Sequence, residues 1–353
     1  MKKIIQSICA LLEKDEPIVS ATILSHAGST PRTAGTKMIV CSDGKIIGTI
    51  GGGSVEAQII QTALEVFGTG QVLVRAFDLS GSSNVNRVDV ICGGKLEVLI
   101  EKIEPSPANT GIFQTLLAAL DRGQRSLLVS TLPKEGDEKQ RIERFLILDD
   151  NATHGEDSIP AIILDTIKEE AGWHRAPILL TIENKKYLAE PAVISGTVYL
   201  FGAGHVSQQV AMLTQMVDFR TVVLDDREAF ANRERFKTAD EILVLSDFIG
   251  AFSDLEIDED SYVVIVTRGH RHDKTVLSQA LRTKAGYIGM IGSRRKRDAT
   301  YGALIKEGFT PEDLDRVHCP IGLEICAETP QEIAVSIVAE LINARANKLE
   351  RNP

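Results

Sequence analysis

The sequence predicts an α/β protein of two domains: an N-terminal mixed α/β domain over residues 1–190, then a Rossmann-like domain with a doubly wound parallel sheet over residues 197–353. Three observations carry this. At 353 residues the chain exceeds the roughly 250–300 at which a single core stops growing. From Thr197 onward strand and helix patterns alternate with short links, the signature of βα units and a parallel sheet. And Val198-Tyr-Leu-Phe-Gly-Ala-Gly-His-Val-Ser207 runs from strand through a glycine turn into a helix.

In chain order, Ile4–Leu12 reads as a short helix and the β-rich Ile18–Leu24 as a strand. A loop of turn formers follows, His26 to Gly35. Lys37–Cys41 and Lys45–Ile50 flank Ser42-Asp43-Gly44, and Asp-Gly between apolar runs is a hairpin signal. Past Gly51, Gly52 and Gly53, residues Val55, Ile59, Ala63 and Phe67 repeat at helical spacing, and that helix ends near Gly68. Gln71–Phe77 and Lys95–Ile103 read as strands around a polar loop that leads to Cys92-Gly93-Gly94. Residues 109–191 alternate a helix, strands (Ser126–Leu132, Arg144–Leu148, Ile178–Ile182) and acidic loops, expected to complete the first domain's sheet. In the second domain the elements are Val198–Phe201, Val206–Met216, Thr221–Leu224, Arg227–Phe236, Glu241–Leu245, Tyr262–Thr267, Lys274–Leu281, Tyr287–Ile291 and Arg294–Glu307. A last helix opens at Thr329-Pro330, where Thr caps and Pro suits the first turn. Its apolar positions Ile333, Ile337, Val338, Leu341 and Ile342 suit core or dimer packing.

Composition narrows the function classes. A formal net charge of −10 argues against broad nucleic-acid binding, which needs basic faces to displace counterions. No apolar run approaches the ~20 residues of a membrane span, and Met1-Lys-Lys-Ile-Ile-Gln lacks the features of a signal peptide. Five cysteines, odd in number and scattered without CxxC, do not form a disulfide framework, so a reducing cytoplasm is expected.

Two glycine-rich turns carry candidate chemistry. In Gly51-Gly-Gly-Ser-Val-Glu56 the serine lacks the G-x-S-x-G spacing of a nucleophile turn. Ser54 reads instead as the cap of a helix starting at Val55, with Glu56 near its positive end. In the second turn, Gly202 allows the tight bend, Gly204 lets a pyrophosphate approach, and Ser207 is small enough for close helix packing. The next strand ends in Asp225-Asp226, at the distance expected of a ribose-binding acid that favours NAD.

Further polar groups follow the later strands. His205, His270, His272 and Asp273 are placed to converge at the sheet's carboxyl edge, where ligands bind in such folds. Arg294, Arg295 and Lys296 open a helix, which its dipole disfavours unless an anion sits between them. A solvated basic turn explains them equally well. For the histidines, polar ligand contact, structural hydrogen bonding and metal binding all stay open.

Together the motifs resemble the XdhC/CoxI family, accessory factors for xanthine dehydrogenase and related molybdenum hydroxylases. The resemblance rests on Gly28-Ser-Thr-Pro-Arg32, Gly35-Thr-Lys-Met38, Gly51 to Glu56, Cys92-Gly-Gly94, Phe201 to Val206, Asp225-Asp-Arg227, Thr267-Arg-Gly-His270, His272-Asp273, Tyr287 to Lys296, Pro320-Ile-Gly-Leu323 and Thr329 to Ile337. It implies a cytoplasmic, generally dimeric factor that binds molybdopterin cofactor. Such a factor looks after its sulfuration with a cysteine desulfurase and hands it to an apo-hydroxylase. It acts as a carrier more than as a catalyst. The cofactor is then expected between two glycine-rich surfaces, one from each domain. Its phosphate would meet backbone amides and the cations at Arg294–Lys296; its pterin would bond to Glu56 or to Asp225 and Asp226. The family pattern often has cysteine where this chain has Ser54, and glycine where it has Cys326. A hydroxyl is a far poorer metal ligand or sulfur carrier than a thiol. That departure weighs against a role needing two thiols, whereas Cys92 keeps its context. Two other classes share the second turn. One is an NAD-dependent oxidoreductase with His270 or His272 as acid–base. The other is a regulatory module that senses a nucleotide.

Overall fold

The apolar alternation of the first 193 residues resolves into two separate five-stranded antiparallel sheets, not one. The computed structural model describes residues 1–79, 94–133, 142–149, 152–155, 159–172, 176–192 and 196–351, and the chain divides into two units, Met1–Val193 and Ile194–Pro353.

The first unit opens with helix α1 (Lys2–Leu12), then β1 (Ile18–Ala27), β2 (Lys37–Cys41), β3 (Ile46–Gly48), α2 (Gly53–Thr69), β4 (Leu73–Asp78) and β5 (Lys95–Ile103). The strand order is β3-β2-β1-β5-β4. The expected hairpin forms at Asp43-Gly44: β2 and β3 pair antiparallel, and Gly44 turns with a φ of 82°. Helix α2 lays Val55, Ile59, Ala63 and Val66 on Val19, Ala21, Ile23, Val98 and Ile100. These are alternate residues of β1 and β5, so one sheet face takes the helix.

Then come α3 (Pro107–Arg122), β6 (Ser126–Leu132), β7 (Glu143–Leu148), β8 (Thr153–Gly155), α4 (Ala161–Ala171), β9 (Ile178–Ile182) and β10 (Lys185–Ala192). Ser106 caps α3 by accepting from the Asn109 amide at 3.2 Å, with Pro107 in the first turn. The expectation that this stretch completes the first sheet is overturned. β10 pairs with β6 from Lys186 to Ala192 and with β9 from Lys185 to Ile182, giving an order β8-β7-β6-β10-β9. Each of its five strands pairs with a neighbour inside this sheet, and none of them pairs with β3 or β4. Helix α4 covers one face through Ile163, Ile167 and Ala171. The other face meets the first sheet, where Leu99 packs with Leu132, Ile142 and Leu188. Two ion pairs cross there: Lys37 to Glu190 at 2.7 Å, and Arg144 to Glu101.

The second unit runs β11 (Thr197–Phe201), α5 (His205–Met216), β12 (Arg220–Asp225), β13 (Glu241–Val244), β14 (Ser261–Ile265), α6 (His270–Ala280), β15 (Tyr287–Met290), α7 (Arg294–Lys306), α8 (Pro311–Asp315), β16 (Val317–His318) and α9 (Pro330–Arg351). All six strands are parallel, in the order β13-β12-β11-β14-β15-β16. This is the 3-2-1-4-5-6 order of a Rossmann sheet, with its switch point between β11 and β14. Val198, Leu200 and Val264 point to one core, shared with Ile337 and Leu341 of α9; Tyr199, Phe201 and Ile265 point to the other, shared with Leu277 and Leu304. In α9, Val338 is also buried, Ile333 partly so, and Ile342 is exposed. One expected element is absent: Arg227–Phe236 is a chain of turns, not a helix. The Arg227 side chain folds back on Asp225, and the Asn232 amide bonds the carbonyls of Glu228 and Ala229, competing with helical bonds.

Candidate functional site

In the first unit three glycine-rich segments interlock. Gly51, Gly52 and Gly53 have φ values of 129°, 76° and 67°, a run that L side chains rarely adopt. A Cβ on Gly51 would lie 2.4 Å from Pro31, and one on Gly94 would lie 2.6 Å from the carbonyls of Ala27 and Ser29. The loop around Ser29–Arg32 therefore sits directly against both glycines. Gly52 and Gly53, by contrast, face open space.

Glu56 ties this loop together. Its Oε2 accepts from the Thr49 hydroxyl at 2.6 Å, the Gly52 amide at 3.2 Å and the Ile50 amide at 3.4 Å, while Thr49 Oγ1 accepts from the Gly51 amide at 3.1 Å. The carboxylate expected to meet a pterin is engaged in holding its own loop. Ser54 is not the helix cap. Helix α2 starts at Gly53 with Gly52 at the cap position and no side-chain cap bond. The helix begins two residues before Val55, the start that the apolar spacing suggests, so Ser54 lies inside the first turn, half-buried. Its hydroxyl has no partner among the described residues. Cys92 lies outside the described residues. Arg32 is exposed beside the glycines and makes no ion pair among the described residues. Its motif is visible in the sequence, yet no spacing rule marks it as a site residue.

In the second unit the glycine turn is built as expected at three points. Gly202 has a φ of 112°, and a Cβ there would lie 2.4 Å from the Val266 carbonyl. Ser207 is fully buried and its hydroxyl donates to the Gly202 carbonyl. Gly204 faces open space.

The charged groups are placed differently from the sequence reading. Asp225 is only 1% exposed and is surrounded by the protein itself. It accepts from the Ala203 amide at 2.7 Å, from Arg227 Nε at 2.8 Å and from Arg227 Nη2 at 2.9 Å. The acid expected to read a ribose is closed to a ligand. Asp226 accepts from Arg268 at 2.7 Å. Asp273 is fully buried, held by the Thr267 hydroxyl at 2.6 Å and by an ion pair with Lys296, which also donates to the Ile291 carbonyl at 2.9 Å. The α7 cap is Ser293, accepting from the Lys296 amide at 3.2 Å. His272 packs its ring on Phe248, centroids 5.1 Å apart. Of the histidines, His205 and His270 are exposed and make no hydrogen bond or ion pair among the described residues. Arg294 and Arg295 are likewise exposed and unpaired among the described residues. Among the described residues no three His, Cys, Asp or Glu side chains come together to hold a metal. The polar groups of this edge without a hydrogen bond or ion pair among the described residues thus include His205, His270, Arg294 and Arg295, beside the open backbone at Gly204.

Burial pushes the Asp225 carboxyl up, but the bonds from Arg227 and the Ala203 amide outweigh it and hold it below its usual 3.8. A depressed folded pKa stabilises above the unfolded value and is lost as pH falls through the folded one. Asp225→Asn is expected to cost about 2 kcal/mol at pH 7. The gap to wild type should narrow below pH 3.8. Urea midpoints across an acid series check this; a constant gap would show that ionisation is not what stabilises the turn.

Residues 198–341 match the model of the XdhC Rossmann domain, and residues 11–78 match that of the XdhC and CoxI family. YqeB of Escherichia coli is 25% identical over 344 residues, 96% of this chain; the chain spans 45% of that relative's length. A probable xanthine dehydrogenase subunit of Bacillus subtilis is 27% identical over 95% of this chain and 96% of its own. The molybdenum cofactor insertion chaperone PaoD of Escherichia coli is 22% identical over 94% of this chain and 85% of its own. Among solved structures, a xanthine dehydrogenase from Bacillus halodurans superposes with a TM-score of 0.77 at 27% identity, over 97% of this chain and 96% of that one.

Proposed function

The chain belongs to the XdhC and CoxI family, and from that premise we propose that it binds the molybdenum cofactor and supports its sulfuration and insertion into a xanthine dehydrogenase-type hydroxylase. The observation that carries this reading is the open glycine surface at Gly52 and Gly53. There, the first-turn amides of α2 have no side-chain cap and the backbone has no Cβ to keep a ligand away. Such amides attract an anionic group. Arg32 adds a cation on the neighbouring loop, so the residues present fit the phosphate of a molybdopterin. When bound, the cofactor supplies a molybdenum centre whose redox chemistry is exercised in the client hydroxylase.

This chain's own part is to bind and orient. The Gly53 and Ser54 amides and Arg32 hold the anionic end, and Glu56 keeps the loop in shape. The Ser54 hydroxyl stands where relatives in the family pattern often hold a thiol, so sulfur comes from a partner cysteine desulfurase and not from this residue. His205, His270, Arg294 and Arg295 form a second polar surface for a ligand or for the apo-hydroxylase. The protein acts as a carrier, as a homodimer. The similarity to a molybdenum cofactor insertion chaperone supports the reading.

Purification under anaerobic conditions from a molybdate-replete host, with pterin content measured by mass spectrometry, tests it. Wild type should carry pterin. Arg32→Ala and Gly53→Val should each lower the content about tenfold, the loss expected of one charge-assisted contact, at unchanged melting temperature for Arg32→Ala. Ser54→Cys should raise retention. Pterin-free wild type, or content indifferent to both loop substitutions, would overturn the placement.

A further inference from the structure

Arg235 is a half-buried cation with no ion pair among the described residues. The turns that replace the expected helix over Arg227–Phe236 bring it back to the glycine turn of the second unit. There its Nη2 donates to Gln208 Oε1 at 3.1 Å and to the Ala203 carbonyl at 3.4 Å. Gln208 Nε2 donates in return to the Arg235 carbonyl at 3.2 Å. The guanidinium is thus fixed along the first turn of α5, with the Phe230 ring 4.9 Å away at its centroid. Its Nε is buried and has no hydrogen-bond partner, and its Nη1 donates to no group among the described residues. Desolvating a charged donor without a partner costs free energy unless something completes it.

The surroundings add positive potential and no counter-charge. Helix α5 has 12 residues, no side-chain cap and no acidic residue in its first turn. A cation beside that end opposes the helix dipole. His205, the first residue of α5, is exposed and has no partner among the described residues. The nearby acids are engaged elsewhere: Asp225 by Arg227 and the Ala203 amide, Asp226 by Arg268. Between Arg235 and His205 the backbone lies open, because a Cβ on Gly204 would have no heavy atom within 4 Å.

The same contacts choose among anions. A dinucleotide needs a free acid after the second strand for its ribose and a clear path along the carboxyl edge of the sheet. Here that acid is closed. The Arg268–Asp226 pair, at 2.7 Å, runs between the ends of β14 and β12, the two neighbours of β11, across that path. A terminal phosphate needs neither feature. It carries close to two negative charges at neutral pH and three acceptor oxygens, enough to meet helix amides and a guanidinium together. We infer that Arg235 and the first turn of α5 form a binding site for a phosphate monoester. The phosphate rests on the Gly204 backbone, accepts from the α5 amides and Arg235, and has His205 at its outer side. The site stands whether or not the glycine loop at Gly53 holds the cofactor.

Calorimetric titration of full-length protein with AMP, inorganic phosphate, adenosine and NAD tests it without reading pterin content. AMP should saturate and bind at least tenfold tighter than adenosine and than NAD, the margin of one charge-assisted contact. Inorganic phosphate as tight as AMP identifies the phosphate alone as the recognised group, and tighter AMP identifies a phosphorylated nucleoside. Arg235→Met keeps the apolar stem on Phe230 and should weaken AMP about tenfold. Gly204→Val places atoms where the phosphate rests and should abolish saturation at an unchanged melting temperature; it decides the matter if Arg235→Met fails to fold. Three results would overturn the inference: no saturation by AMP at millimolar concentration, NAD binding as tightly as AMP, or AMP affinity unchanged in a folded Arg235→Met or in Gly204→Val.

Discussion

Gly202→Val is expected to destabilise the second unit by about 4 kcal/mol or more, a large share of a domain's total stability. Two independent costs add. The first is conformational: Gly202 has a φ of 112°, outside the range of a β-branched residue. The second is steric. The new Cβ would lie 2.4 Å from the Val266 carbonyl oxygen and 2.9 Å from the Thr267 Cα. Both are backbone atoms, so no rotamer change relieves the clash. Nor can the turn swing away, because the Gly202 amide donates to the Leu224 carbonyl at 2.7 Å and the Val266 amide donates to the Phe201 carbonyl at 2.9 Å. The bend is pinned to both neighbouring strands. Gly204→Ala is the matched control. Gly204 has a φ of −76° and no heavy atom within 4 Å of an added Cβ, so a loss of no more than about 1 kcal/mol is expected there. Peptide-resolved hydrogen exchange in urea separates the two units. Loss of protection over β11–β14 in Gly202→Val, with the first unit unaffected, is the expected result. Wild-type protection would mean that the β11 and β14 turns part easily.

The contrast between these two glycines is only half legible in the sequence. Strand, Gly-x-Gly and helix at the correct spacing announce the turn, and Ser207 at the third slot is small for a reason the structure bears out. Which glycine is irreplaceable depends on what stands opposite, and Val266 is far along the chain. The same limit applies to the charges. Asp225-Asp226-Arg227 has the placement of a ribose acid, but the arginine two residues on returns to its own strand end and takes the carboxylate. Lys296 reads as one cation in a basic run; its partner Asp273 is on another helix. Local periodicity reports which face is buried and says nothing about which charges meet across it. Strand pairing is non-local in the same way. Ser126–Leu132 and Ile178–Ile182 are recognisable as strands, yet only their mutual register shows that they build a sheet of their own. Cys326 is a gentler case: its φ of 56° is the left-handed conformation that suits glycine, which gives a backbone reason for the glycine often found there in the family pattern.

Arg144→Met is expected to cost about 3–5 kcal/mol, the loss typical of leaving one member of a buried ion pair without its partner. The Arg144 side chain is 4% exposed and that of Glu101 is 6% exposed. They join β7 of one sheet to β5 of the other, where no water compensates a missing charge. Arg144 also donates to Asn109 Oδ1 at 3.4 Å and lies over the Phe113 ring, so α3 loses a contact as well. Methionine keeps the length of the stem and removes only the guanidinium, which isolates the electrostatic part. The decisive experiment is the double variant Arg144→Met/Glu101→Leu. Removing both charges leaves neither stranded, and the apolar neighbours Leu99, Leu132 and Leu188 can pack on the new side chains. Most of the lost stability should therefore return, with a coupling of about 2–3 kcal/mol in the thermodynamic cycle. If the double variant instead shows the sum of the single losses, the pair contributes through packing and not through charge. The Lys37–Glu190 pair gives an internal comparison. Lys37 is 10% exposed and also donates to the Thr22 hydroxyl at 2.7 Å. Its ammonium is partly supported without Glu190, so Glu190→Gln should cost less than Glu101→Gln. The reverse order would show that the Thr22 hydroxyl does not sustain the Lys37 ammonium once Glu190 is neutral.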